Sequence, residues 1–232
     1  NRADFLYQVS GTGTGISFDP VLRFRPDLDR AAADLGDIDL DGDLDLIYAG
    51  QSVEVANGAQ VSYTTVWLND GDGGYNQGFG GLEGLNNGDL ELGDLDSDGD
   101  LDLLITGVNS SSQRRTILYR NDHPGDFTDA GADLEGLESS TLALGDIDRD
   151  GDLDLVLGGL TSDTIPFAGL YDNDGGDLVL RTDVTLPGIR AGDLALADYD
   201  NDQDLDIILS GNDGAVALLQ VWENTIGQAA PD

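Results

Sequence analysis

Twenty of the 46 acidic residues fall into four clusters of five aspartates, each cluster packed into nine residues with the acids spaced for chemistry on a cation. The clusters are Asp37, Asp39, Asp41, Asp43 and Asp45; Asp94, Asp96, Asp98, Asp100 and Asp102; Asp146, Asp148, Asp150, Asp152 and Asp154; and Asp198, Asp200, Asp202, Asp204 and Asp206. One Asp-Gly run is ordinarily a solvated turn. Four copies of a five-carboxylate run are self-repelling unless something neutralises them. The shared pattern is D-x-D-x-D-G-x-x-D, and it suits a hard cation that takes six to eight oxygens at about 2.3 to 2.6 Å. Carboxylates at loop positions 1, 3, 5 and 9 and the backbone carbonyl at position 7 wrap one ion. Position 7 is Asp43, Asp100, Asp152 or Asp204, so these four are expected to ligate through the main chain. Calcium is the expected cofactor, about four ions in all, because magnesium demands a tighter octahedron and keeps its waters. Gly42, Gly99 and Gly151 supply the sharp turn at position 6, where Gln203 stands in the fourth loop and predicts the weakest site. An EF-hand needs an acidic residue at position 12, and here that position holds Tyr48, Ile105, Leu157 or Leu209.

The elements that position these loops repeat with them. The leading aspartates Asp37, Asp94, Asp146 and Asp198 lie 57, 52 and 52 residues apart, the length of one supersecondary unit. Trp67, Tyr119 and Tyr171 each precede the next leading aspartate by 27 residues and are followed two positions on by Asn69, Asn121 and Asn173; Trp222 and Asn224 repeat the pair. Short apolar runs bounded by Gly, Asn and Asp predict strands throughout, about four per unit, with the loop between the first two and the aromatic in the third. The expected fold is therefore all-β, a β-propeller-like array of about four four-stranded blades in one repeat domain, residues 1–232. Its divisions are a half-repeat hairpin at 1–30, repeats at 31–87, 88–139 and 140–191, and an incomplete repeat at 192–232. The hairpin of Phe5 to Phe18 supplies a third and fourth strand, and the C-terminal unit supplies the first three. Such ends close a ring within one chain, link copies head to tail, or belong to a fragment of a larger propeller.

Composition narrows the function. A formal charge of −36 disfavours nucleic acid and anionic lipid as partners and favours multivalent cations. With no cysteine and no lysine, thiolate chemistry, disulfides and Schiff bases are excluded. No run reaches the roughly 18 to 20 apolar residues of a membrane span, so membrane insertion is not expected. The chain has no methionine and opens at Asn1, which fits a processed chain that has lost a secretory leader. His123, the one histidine, lies in a turn sequence with no nucleophile beside it, and the acids at fixed spacing are committed to metal; no catalysis is expected.

The four loops and the aromatic-x-Asn strands followed by Gly-rich hairpins resemble the FG-GAP or VCBS repeats of integrin α-subunit propellers and of many secreted bacterial proteins. That resemblance implies four-stranded blades with one calcium loop each, and roles in adhesion, ligand binding or scaffolding. The expected function is a calcium-binding extracellular structural or adhesion protein, secreted or on a cell surface, forming a head-to-tail fibre. A lectin-like module that binds glycans or a surface protein is the alternative. Asn109-Ser110-Ser111 is a formal glycosylation sequon, and the strand aromatics are expected in the core rather than in sugar clefts.

Overall fold

The computed structural model describes residues 5–10, 17–23, 28–53, 58–123 and 125–225, giving backbone alone for the first two segments. No helix among them is long and apolar enough to cross a membrane. An antiparallel hairpin, β1 (Phe5–Ser10) and β2 (Ser17–Arg23), opens the chain; residues 11–16 of the expected hairpin lie outside the described residues. The first antiparallel sheet runs β3 (Asp29–Gly36), β4 (Asp45–Val53), β5 (Gln60–Asn69) and β6 (Tyr75–Gln77). In the second, β7 (Leu85–Asn86) and β8 (Leu90–Gly93) both pair with β9 (Asp102–Asn109), followed by β10 (Arg114–Arg120) and β11 (Thr128–Asp129). The third is β12 (Glu138–Gly145), β13 (Asp154–Leu160), β14 (Pro166–Asp174) and β15 (Asp177–Leu180). The fourth has three strands, β16 (Asp193–Ala197), β17 (Asp206–Asn212) and β18 (Ala217–Trp222). The chain is thus an all-β, propeller-like series of antiparallel sheets, and every acidic loop joins the first strand of its sheet to the second.

The second strands of the two inner sheets are apolar on both faces because each of these sheets lies between two others. Leu103, Leu104 and Ile105 are all fully buried. Ile105 packs with Ile47 and Val66 of the first sheet, whereas Leu104 packs with Leu155 and Leu157 of the third. Ile207 and Leu209 join Val156 and Leu170 in the same way between the third and fourth sheets. Loop position 2 extends each core: Ile38, Leu95 and Ile147 are buried within the three inter-sheet clusters. Burial of such a side chain stabilises by about 1.5–3 kcal/mol. The close of the first strand has no room for a side chain. A Cβ on Gly36, Gly93 or Gly145 would come within 2.6 to 2.9 Å of leucine tips from the following sheet.

A second inter-sheet device lies at the start of the first strands. Arg30, Asn87, Ser139 and Ala191 all have left-handed backbones, with φ between 47° and 57°, and they follow the same repeat spacing. Each one's N–H donates to the carbonyl of its predecessor: Asn87 to Arg30 (3.1 Å), Ser139 to Asn87 (2.7 Å), Ala191 to Ser139 (3.2 Å). This ladder of bulge residues ties four sheets together through main chain alone. Carboxylates support it from the side, since Asp34 accepts the N–H of Leu92 and Glu91 that of Leu144, each reaching the next sheet's first strand.

Candidate metal centres

Within each loop the backbone curls around its own carboxylates. Asp94 accepts the N–H groups of Asp98 and Gly99, Asp98 accepts that of Asp100, and Asp198 and Asp202 repeat these bonds in the fourth loop. Two residues per loop take left-handed backbones to permit this. Position 6 was expected, and Gln203 does adopt φ 77° where glycines stand in the other loops. Position 4 was not: Leu40, Ser97, Arg149 and Asn201 lie at φ 60° to 66°. An L-residue there costs about 1–2 kcal/mol, except that Asn tolerates it well.

The curl brings carboxylate oxygens within 4.8 Å of one another in four places: Asp37, Asp39 and Asp41; Asp94, Asp96 and Asp98; Asp146, Asp148 and Asp154; Asp198, Asp200 and Asp206. Each cluster could hold a metal ion. A single oxygen of Asp37, Asp39, Asp96 and Asp146 is buried without a hydrogen-bond donor. A desolvated, unpaired carboxylate oxygen is strongly unfavourable, so the donor set fits a hard cation that would complete it. Electrostatics agree: burial first, and neighbouring carboxylates second, push position 3 above the usual carboxylate range in all four loops, at Asp39, Asp96, Asp148 and Asp200.

Position 9 has a further task. Asp45, Asp102, Asp154 and Asp206 are almost fully buried. One oxygen of each accepts the N–H of position 2, at Ile38, Leu95, Ile147 or Tyr199. The other accepts the N–H of the strand asparagine, Asn69, Asn121, Asn173 or Asn224. These asparagines in turn clamp neighbouring loops. Asn121 donates to the carbonyls of Leu101 in its own loop and Ile38 in the preceding one; Asn173 does so to Leu153 and Leu95, and Asn224 to Leu205 and Ile147.

The position 7 side chains of the third and fourth loops face the preceding loop, which leaves only their main chain for an ion of their own loop. Ser97 donates to Asp152 (3.3 Å), and Arg149 pairs with the buried Asp204 (3.3 Å). Arg120, between Tyr119 and Asn121, pairs with Asp102 (2.5 Å) and Asp96 (3.7 Å) and donates to the Gly176 carbonyl. It places a resident cation beside the second cluster, where the other sheets have Leu68, Asp172 and Glu223.

The remaining candidates take structural places. His123 is exposed, in a turn where its carbonyl accepts the Asp126 N–H. Asn109 donates to Glu83 (2.6 Å) and Gln113 (3.0 Å) while accepting two backbone N–H groups, so its amide is engaged within the fold. Tyr119 and Tyr171 are core residues whose hydroxyls accept the N–H of Glu83 and Glu135, as expected for strand aromatics; Trp222 is partly exposed on the last sheet. No curated protein matches the chain. A family model does match, over residues 94–157, from the second acidic loop through most of β13. That stretch carries the loop, the aromatic-x-Asn strand and the hairpin described above, and over it the protein is similar to an FG-GAP-like repeat.

Proposed function

We propose that the chain is a calcium-binding structural or adhesion module of the extracellular space, which works by presenting a rigid surface rather than by catalysis. The observation that carries this is the convergence of three carboxylates in each of four loops, with buried oxygens that lack donors in the first three. Calcium accepts the mixed set of carboxylates and main-chain carbonyls that such loops offer. Asp37, Asp39 and Asp41 with Asp45 and the carbonyl of Asp43 would hold the first ion. Equivalent sets beginning at Asp94, Asp146 and Asp198 would hold the others. The ion supplies charge neutralisation and fixes the loop; no reaction is assigned to it. FG-GAP-like repeats often bind calcium, which supports the choice of metal.

Because a folded loop binds the ion and an unfolded one does not, calcium stabilises by mass action. Excess chelator should lower the melting temperature, and calorimetric titration should count about four ions. An unchanged melting curve with no heat of binding would sink the proposal.

A second reading, ligand binding in the manner of a lectin, draws on one polar cavity of about 370 Å³ lined by Arg30, Gln51, Gln60, Asn87, Asn109 and Arg114 among others. It holds amides, hydroxyls and two guanidinium groups but no aromatic platform. A glycan array separates the two readings.

A further inference from the structure

Each junction between successive sheets is assembled from the same two matched halves. The outgoing half presents the small residue that closes the first strand, the position 2 residue with its carbonyl, and the position 4 side chain. The incoming half presents two leucines (Leu92 and Leu101, Leu144 and Leu153, Leu196 and Leu205), the clamp asparagine and the position 7 carboxylate.

Both halves recur, open, at the two ends of the series. On the fourth sheet Tyr199 is 50% exposed, whereas Ile38, Leu95 and Ile147 at the same position are buried; Leu219 and Val221 beside it are 73% and 49% exposed. On the first sheet Leu35 and Leu44, the equivalents of the two plugging leucines, are 44% and 56% exposed. The Asn69 amide donates to its own loop at Leu44, where the later asparagines also reach a preceding loop.

We propose that these halves dock on one another between copies, the outer face of the fourth sheet of one molecule receiving the incoming edge of the first sheet of the next. The contact is heterologous, so it propagates head to tail. A second copy is the occupant because the open halves continue, position for position, an interface already built three times within the chain. The inference rests on the calcium-binding reading, since Tyr199, Asn201, Asp43 and Leu44 are loop residues and copies of charge −36 approach only when their loops are neutralised.

One residue departs from the pattern. Ala197 stands where Gly36, Gly93 and Gly145 admit the leucines, so Leu35 and Leu44 of the arriving copy must turn aside. The junction between copies is therefore looser than those within.

Sedimentation velocity in millimolar calcium, from micromolar to high-micromolar protein, tests this on the full chain. The parent should form concentration-dependent oligomers. Leu219→Asp, at a surface position that folding does not need, should weaken association by about tenfold or more, and Ala197→Gly should tighten it by about fivefold. Excess Leu219→Asp chain, which keeps its incoming half, should shorten parent oligomers by capping them. A parent that binds calcium yet stays monomeric overturns the docking and spares the functional reading. A parent that binds no calcium and does not assemble overturns both. Oligomers indifferent to both substitutions, or not capped by the variant, refute this geometry. A monomeric parent whose Leu219→Asp form melts lower would show instead that the face is covered by its own chain.

Discussion

At loop position 6 the chain uses glycine three times and Gln203 once, all with positive φ. Gln203→Gly should relieve about 1 kcal/mol of backbone strain and raise the melting temperature in saturating calcium by roughly 2–4 °C. Glu91 is a separate case, lying outside the clusters. Burial, with Asp34 and Asp89 nearby, raises its pKa from 4.5 to about 7 against the opposing N–H of Leu144. Between those two values the unfolded chain has released this proton and the folded one has kept it, so the group lowers stability as pH rises and its full penalty is present above about 7. Glu91→Gln keeps an oxygen for Leu144 and removes the titration. It should match the parent near pH 4 and exceed it at pH 8 by about 1 kcal/mol after allowance for solvent screening. Urea melts of both chains in chelator at the two pH values check this. The acids and glycines of the loops were legible from spacing. The position 4 residues were not, because Leu40, Ser97 and Arg149 carry no preference for the left-handed conformation that the loop imposes.

Strand types and their order within each sheet follow from alternating apolar runs and turn residues, and an N-terminal two-strand hairpin and a three-strand last sheet appear where the repeat phase predicted them. What joins sheets was less visible. The aromatic-x-Asn pair showed as a period, yet nothing in that spacing revealed that Asn173 bridges Leu153 and Leu95, 78 residues away in the latter case. The bulge ladder was equally silent, since Arg30, Asn87, Ser139 and Ala191 share a backbone state and no chemistry. The part played by Arg120 is likewise not legible in the sequence, because it depends on which loop the side chain reaches in space. The clamps predict a graded series. Asn173→Ala strands two buried carbonyls and the carboxylate-facing turn at Gly176, and should cost about 2–4 kcal/mol. Asn69→Ala loses one carbonyl contact and the exposed turn bond from the Gly71 N–H, and should cost about 1 kcal/mol. Equal losses in urea unfolding would contradict the role given to the inter-loop bond.

Across the whole molecule, stability is distributed as intrinsic sheet terms plus nearest-neighbour junctions, in the way of linear repeat arrays. The junctions have a direction: Asn121, Asn173 and Asn224 each reach back to the loop before their own, and every ladder N–H points the same way. The fourth sheet is held from one side only, as the exposure of Tyr199 and Leu219 shows. Pulled by its C-terminus, such a chain peels. The last sheet detaches first, taking Asn224 from the Ile147 carbonyl, and each departure removes the clamp on the loop behind it. Single-molecule extension should therefore show successive ruptures, each releasing one repeat of about 170–190 Å of contour, with rupture forces that fall when calcium is withdrawn. A molecule built in this way yields to load in instalments and can re-seat sheet by sheet when the load is gone, which is the behaviour of a tether that absorbs shock.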